Sequence, residues 1–158
     1  MSERLQDVHL AGAPLERKRH VCAFFHTRDE DYGVLLPYIM EGFEHGDKAF
    51  HIVGPDWRAE HLRRLERAGI PVAAAERSGQ LEVRRWEEAY LRDGHFDQHR
   101  MLALIEEVLT GAKAQGFPLT RLLANMEWAL EDRPGVDDIV EYETRLNYVL
   151  PKYDDAVV

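Results

Sequence analysis

Residues 48–53, Lys-Ala-Phe-His-Ile-Val, form a short run that lies between Gly46 and the turn Gly54-Pro55-Asp56. A run of this length bounded by turn residues predicts a buried β-strand. A helical pattern follows at once, with its apolar face on Trp57, His61, Leu62, Leu65 and Ala68. A strand followed directly by a helix is the building unit of a parallel sheet covered by helices.

The same alternation runs through the chain. Strands are predicted over residues 20–25, 81–86 and 119–126, with a short one over 70–75 and the start of another at 156–158. Helices are predicted around apolar faces at residues 32–43, 101–112 and 136–150, with Asp29 and Asp97 as N-caps and a kink at Pro37. We therefore predict an α/β fold, a three-layer, mostly parallel sheet with helices on both faces. Residues 1–19 are weakly patterned and are expected to form a flexible N-terminal arm before a single domain over 20–158.

Composition narrows the range of functions. The 158 residues suffice for one domain, and 45% apolar with 31% charged residues is the balance of a globular protein. The net charge of −9 disfavours direct binding to nucleic acid and to anionic membranes. No apolar run approaches the roughly 20 residues of a transmembrane helix and no signal peptide is evident, so we expect a cytoplasmic protein.

Nucleotide and metal chemistry are not indicated. The loop after the first predicted strand, His-Thr-Arg-Asp-Glu-Asp at 26–31, has neither glycine nor Lys to hold phosphate and carries three acids. The eight histidines show no helical His-x-x-x-His spacing, so we interpret them as scattered surface residues with one or two in the core. Cys22 is expected to be buried and structural. No cofactor and no metal are expected.

Parallel sheets bind ligands beyond the carboxyl ends of their strands. The residues that the predicted topology brings to this edge, or that could reach it, are His26, Tyr32, Trp86, Tyr90, Asn125, Glu127, Trp128, Tyr142, Glu143 and Arg145. The aromatic residues either line a ligand pocket or simply cap the sheet, and for Trp128, beside Glu127, we favour the pocket. Glu143 and Arg145 do not face each other on a helix, so each is either a surface residue or part of a buried ion pair that positions a loop.

Several stretches, in order, resemble the MEDS domain, the methanogen/methylotroph sensory domain named after a dichloromethane-responsive transcriptional repressor. They are His20-Val-Cys-Ala-Phe-Phe25, Leu36-Pro37-Tyr38, Glu41-Gly42, Gly79-Gln-Leu81, Tyr90-Leu-Arg-Asp-Gly-His-Phe-Asp97, Asn125-Met-Glu-Trp-Ala-Leu130 and Tyr142-Glu-Thr-Arg-Leu-Asn147. The resemblance covers residues 20–158. It implies a sensory module of bacterial and archaeal regulators with a fold similar to the RecA/KaiC class, without the working phosphate loop.

Two departures from the family pattern bear on function. Family members often carry an acid where this chain has Asn125, and they continue beyond the last strand with a Cys-x-Tyr-Asp-like segment, whereas this sequence ends at Val158. The second departure indicates a sequence that is shortened relative to the family.

Two functional hypotheses follow. The first is a non-enzymatic sensory domain that binds a small molecule at the strand edge and regulates an output protein or domain. The alternative is a ligand-free interaction domain, derived from a degenerate RecA-like ATPase, that forms homodimers through an exposed apolar patch.

Overall fold

A computed structural model describes residues 7–17 and 19–158. Its elements, in chain order, are β1 (His9–Leu10), β2 (Ala13–Pro14), α1 (Arg28–His45), β3 (Lys48–Val53), α2 (Arg58–Arg67), α3 (Val72–Ser78), β4 (Leu81–Arg85), α4 (Gln98–Ala114), β5 (Thr120–Ala124), α5 (Ile139–Val149) and β6 (Ala156–Val157). Four strands form a parallel sheet in the order β4-β3-β5-β6, and β1 pairs with β2 as an antiparallel hairpin. The predicted α/β class is confirmed.

The sheet separates two apolar cores because side chains alternate along its central strand. Every residue of β3 is buried. Phe50 and Ile52 point into the core shared with α4 and α5, whereas Ala49 and Val53 point into the core shared with α1, α2 and α3. The predicted three layers are therefore present, with three helices on one face and two on the other.

The N-terminal cap of helix α1 lies two residues before the cap that we predicted. The N-cap is Thr27, whose side-chain oxygen accepts a hydrogen bond from the backbone N–H of Glu30 at 3.1 Å, and Asp29 lies in the first turn. Gly46 ends the helix in a left-handed conformation with φ of 77°, which favours glycine. Pro37 lies inside the helix, as predicted.

The predicted strand over residues 20–25 is wrong. Val157 in β6 exchanges backbone hydrogen bonds with Arg19 and Val21 at the edge of the sheet, and residues 22–25 then leave the sheet to reach the start of α1. Cys22 is exposed rather than buried, and Phe24 is 90% exposed. The apolar run has the composition of a core strand, but β6 occupies the place beside β5.

Residues 70–75 also differ from the prediction, because they lead into helix α3 instead of a strand. Pro71 precedes the helix, and the Ala-Ala-Ala-Glu sequence that follows Val72 has high helix propensity. Val72 and Ala75, three residues apart, are buried on the α1 side of the sheet. A short apolar run does not distinguish these two structures by its periodicity.

The N-terminal segment is packed onto the domain where the structure describes it. Val8 is fully buried and Leu10 nearly so, in the core beside α1. Glu41 on α1 accepts hydrogen bonds from the backbone N–H of His9 at 2.9 Å and pairs with its ring Nδ1 at 2.6 Å. Residues 8–14 therefore do not form the separate arm that we expected, and residues 1–6 and 18 lie outside the described residues.

A buried guanidinium connects this segment with the sheet. Arg121 on β5 is 1% exposed and pairs with Asp47 at 2.8 Å and Glu41 at 2.6 Å, and it also donates to the backbone oxygen of Tyr38 at 3.0 Å. Partial burial favours the neutral acid of Glu41, but hydrogen bonds from His9 and Arg121 outweigh it and lower its pKa to about 2. The buried charge is thus compensated by two carboxylates.

Among the described residues, no helix is long and apolar enough to cross a bilayer.

Two glycines of α1 provide a test of this packing. A Cβ atom on Gly42 would lie 2.6 Å from Cδ of Arg121, whereas a Cβ on Gly33 would have no atom within 4 Å. We expect Gly42→Ala to lower the free energy of unfolding by about 1–3 kcal/mol, because the paired Arg121 cannot move without losing its partners. Gly33→Ala, the control, should raise it by up to about 1 kcal/mol through helix propensity. Urea unfolding of both variants measures the difference, and equal effects would contradict the packing described.

Candidate functional site

A small cavity lies at the carboxyl ends of β3 and β5, beneath the first turns of α1. Its volume is about 20 Å³, and its walls are Arg28, Asp31, Tyr32, Leu35, Ile39, Val53, Trp57, His61, Leu123 and Asn125. A space of this size holds about one water molecule. A larger ligand therefore requires side chains at the rim to move.

A chain of four polar side chains runs from this cavity into the core. The indole N–H of Trp57 donates to the hydroxyl of Tyr32 at 2.9 Å, and that hydroxyl lies 2.6 Å from Nδ1 of His61. Nε2 of His61 lies 2.8 Å from Nδ1 of His51, which is fully buried on β3. Each side chain comes from a different segment: the short helix Pro55–Trp57, α1, α2 and β3.

The hydrogen-bond roles along the chain follow from its first member. The indole of Trp57 can only donate, so the oxygen of Tyr32 accepts from it. Among the described residues, Nδ1 of His61 is the one acceptor beside the phenol proton, so Tyr32 donates to it. Neutral His61 then carries its proton on Nε2 and donates to Nδ1 of His51. The remaining N–H of His51, on Nε2, has no hydrogen-bond partner within the described structure.

Burial keeps this chain uncharged near neutral pH. Burial, with a smaller contribution from the charge of Arg58, lowers the pKa of His61 to about 4. Burial and the neighbouring His61 also lower the pKa of His51 well below its usual value. Burial raises the pKa of Tyr32 to about 12. Two neutral imidazoles and a neutral phenol therefore lie beside the cavity.

Arg28 covers the rim of the cavity. Its guanidinium lies 2.6 Å from Glu127 and 3.5 Å from Asp31, and 4.9 Å from the ring centroid of Trp57. The ion pair with Glu127 connects the start of α1 with the loop after β5. Because both partners are partly exposed, the pair contributes little to stability.

Comparison with known proteins shows to which family the chain belongs. The sequence profile of the MEthanogen/methylotroph, DcmR Sensory domain (MEDS) matches residues 19–158. The chain belongs to the MEDS family. It is also similar to the transcriptional repressor DcmR of Methylorubrum extorquens (strain DSM 6343 / CIP 106787 / DM4), with 28% identity over 141 residues, 89% of this chain. The match spans about half of that relative, 50% of its length. No solved structure shows a significant match.

The MEDS domain brings together only some of the residues that the sequence indicated. Tyr32 and Asn125 line the cavity, and Glu127 reaches it through Arg28. Trp86 does not line the cavity; it packs against the core on the other face of the sheet, and its indole N–H donates to the backbone oxygen of Asn125 at 3.1 Å. His26 is exposed and does not line the cavity.

Tyr90, Trp128 and Tyr142 lie on the other side of the sheet, in the core beneath α4 and α5. Trp128 is 0% exposed, and its ring centroid is 4.9 Å from that of Tyr90 and 5.2 Å from that of Phe96. The pocket position that we favoured for Trp128 is therefore wrong: the short helix Glu127–Leu130 turns the indole inward, away from the sheet edge. The interpretation as core packing applies to all three rings.

Glu143 and Arg145, the two residues of α5 that the sequence assigned to the site, have surface roles. Glu143 pairs with His20 at 3.1 Å, and Arg145 pairs with Glu141 one turn earlier. Glu143 lies at an open groove of about 400 Å³ whose lining residues are His20, Cys22, Ile139, Val140, Glu143, Thr144 and Asn147. We call this the α5 groove.

Five polar or aromatic residues of the site were missed in the sequence: Arg28, Asp31, His51, Trp57 and His61. His51 and His61 were grouped with scattered histidines. The sequence carries two signals that buried imidazoles meet. His51 lies within a six-residue buried strand, and His61 lies on the apolar face of the next helix. Because the pairing depends on how α2 crosses the sheet, spacing along the chain did not show it.

The tryptophans provide a test of this assignment. We expect Trp128→Ala to lower the free energy of unfolding by about 3–5 kcal/mol, because the substitution empties a fully buried space. Trp57→Ala, which removes a half-buried ring at the cavity rim, should cost clearly less. Urea midpoints of both variants measure this, and a mild effect of Trp128→Ala would contradict its place in the core.

The neutral imidazoles predict a pH dependence. In the unfolded chain they bind protons near pH 6.5, whereas in the folded chain their pKa values are lowered, so the unfolded state gains protons first as the pH falls. The free energy of unfolding should therefore decrease from pH 6.5 toward pH 4, by about 1.4 kcal/mol per pH unit for each proton. In His51→Gln this slope should be smaller by up to about 1.4 kcal/mol per pH unit, which is the contribution of one proton. Equal slopes in urea titrations of the two proteins would contradict a buried neutral His51.

Proposed function

We propose that this MEDS domain is a non-enzymatic sensor that binds a small uncharged molecule in the cavity beside Tyr32 and His61 and regulates an output partner. Membership of a sensory family and similarity to a transcriptional repressor support the regulatory part. The output partner is a further protein or domain, as expected for a chain that spans half of that relative.

The cavity itself is the observation that supports ligand binding. Its walls combine aliphatic side chains with a few polar groups that converge from several elements, which is the composition of small-molecule sites. Its size and the absence of a net charge in the Tyr32–His61–His51 chain favour a ligand of a few heavy atoms, such as a one-carbon or two-carbon compound.

The polar groups of the cavity indicate where such a ligand is oriented. The side-chain oxygen of Asn125 accepts from the backbone N–H of Glu127 at 3.3 Å, which directs its amide NH₂ toward other acceptors. The oxygen of Tyr32 accepts one hydrogen bond and retains a second lone pair. Once side chains at the rim have moved, a ligand with one polar atom can bind at this wall while its apolar part contacts Leu35, Ile39 and Leu123.

The ligand-free interaction domain remains the alternative hypothesis. The exposed Phe24 and the α5 groove favour a protein contact at the edge of the sheet that is formed by β6. This surface does not include the residues of the cavity, so both functions can occur in one domain.

Thermal unfolding with a panel of one-carbon and two-carbon alcohols, amides and halides tests the sensor. A compound at 100 times its Kd should add about 2.7 kcal/mol of stability, and its binding should change the fluorescence of Trp57. In Tyr32→Phe the affinity should fall by up to about tenfold, because one hydrogen bond is lost.

Tyr90→Phe is the matched control, since Tyr90 is buried in the opposite core. It should leave the affinity unchanged. The proposal would be overturned by a panel that moves neither the midpoint nor the fluorescence, or by equal effects of the two variants.

A further inference from the structure

The segment Val21 to Phe25, which we call the edge segment, exposes apolar side chains in an ordered pattern. Val21 and Phe25 are partly buried and pack against the core beside α1. Cys22, Ala23 and Phe24 between them are exposed, so this segment presents three consecutive apolar side chains to solvent.

The backbone of the edge segment is also unpaired. Val21 donates to Val157 at the edge of the sheet, and His26 donates to Glu30 at the start of α1. Between them, within the described structure, the N–H and C=O groups of residues 22–25 make no hydrogen bonds. An unpaired edge rich in β-forming residues, without charge, favours pairing with another strand.

The α5 groove lies beside this segment. Cys22 is one of its walls, and Ile139 and Val140 provide apolar surface on the facing helix. His20 holds the two sides together, with Nε2 3.1 Å from Glu143 and Nδ1 3.0 Å from Asn147. An apolar groove and an exposed aromatic ring thus lie next to each other, on the same strip of surface.

We propose that two copies of this chain pair through their edge segments, antiparallel, around a twofold axis at Ala23. In this register Cys22 of one copy lies opposite Phe24 of the partner subunit, and paired residues of antiparallel strands project to the same face. Phe24 of the partner subunit is therefore placed beside Cys22, where the α5 groove receives it. The contact is repeated by the symmetry.

Charges favour a second copy over an unrelated partner. The edge segment has no charged residue, so two chains of net charge −9 meet at a neutral strip. Arg17 lies six residues before Ala23 and Asp29 six residues after it. Both are exposed, and antiparallel pairing brings the basic end of one segment toward the acidic end of the other; Asp29 already lies 3.2 Å from Arg64 of its own chain, but its side chain is 91% exposed.

Sedimentation velocity over a range of protein concentrations tests the association. The apparent mass of the wild-type protein should rise from the 18.3 kDa of one chain to twice that value as the protein concentration increases. Phe24→Asp should weaken dimerisation by at least about tenfold, because it places a charge in the groove. Leu130→Asp, a control at an 89% exposed leucine outside the edge segment, should not weaken it. A wild-type protein that stays monomeric, or equal effects of the two variants, would overturn the proposal.

Cysteine cross-linking tests the register. Opposite residues of antiparallel strands have Cα atoms roughly 4.5–5.5 Å apart, within the range of a disulfide. In Cys22→Ser/Ala23→Cys the two introduced thiols meet at the axis and should form an intermolecular disulfide under mild oxidation. In the wild-type protein Cys22 faces Phe24 of the second copy, so the two Cys22 thiols are offset by two residues and should cross-link much less. Preferential cross-linking of the wild type would overturn this register.

Discussion

The buried guanidinium of Arg121 is the constraint on which one whole layer of the domain depends. An unpaired charge at this depth is strongly unfavourable, so α1 and the start of β3 have to supply the carboxylates of Glu41 and Asp47. Glu41 in turn holds His9 of the N-terminal hairpin. One charge on the central part of the sheet thus fixes how α1 lies across it and where the hairpin covers its end.

The position of α1 determines the candidate site. With Glu41 fixed over β5, the first turns of the same helix reach the carboxyl edge of the sheet, where Tyr32 meets His61 and Trp57. Arg28 then lies over the cavity and pairs with the loop after β5. Under the proposed function, a ligand that displaced Arg28 would change the contact between α1 and this loop and so connect the cavity with the surface of the domain.

Much of the fold was predictable because it depends on local patterns. The strand at residues 48–53, the Asp97-capped helix and the sheet with helices on both faces follow from turn residues and from periodicity. The predicted strand over residues 20–25 was wrong because composition does not show which of two short apolar segments takes the place beside β5. The site was only half predictable: Tyr32 and Asn125 follow from the carboxyl-edge rule, but Trp128 faces the other core, and the His51–His61 contact depends on how α2 crosses the sheet.

We propose that a polar but uncharged chain of side chains forms one wall of a ligand cavity. The most direct measurement is an NMR correlation of the histidine ring nitrogens and protons near neutral pH, without and with a compound that raises the unfolding temperature. We expect His61 to be neutral with its proton on Nε2, and its signals to shift on binding while those of His20, which lies at the α5 groove, do not. A charged His61, a proton on its Nδ1, or a shift of the His20 signals without a shift of those of His61 would contradict the neutral wall.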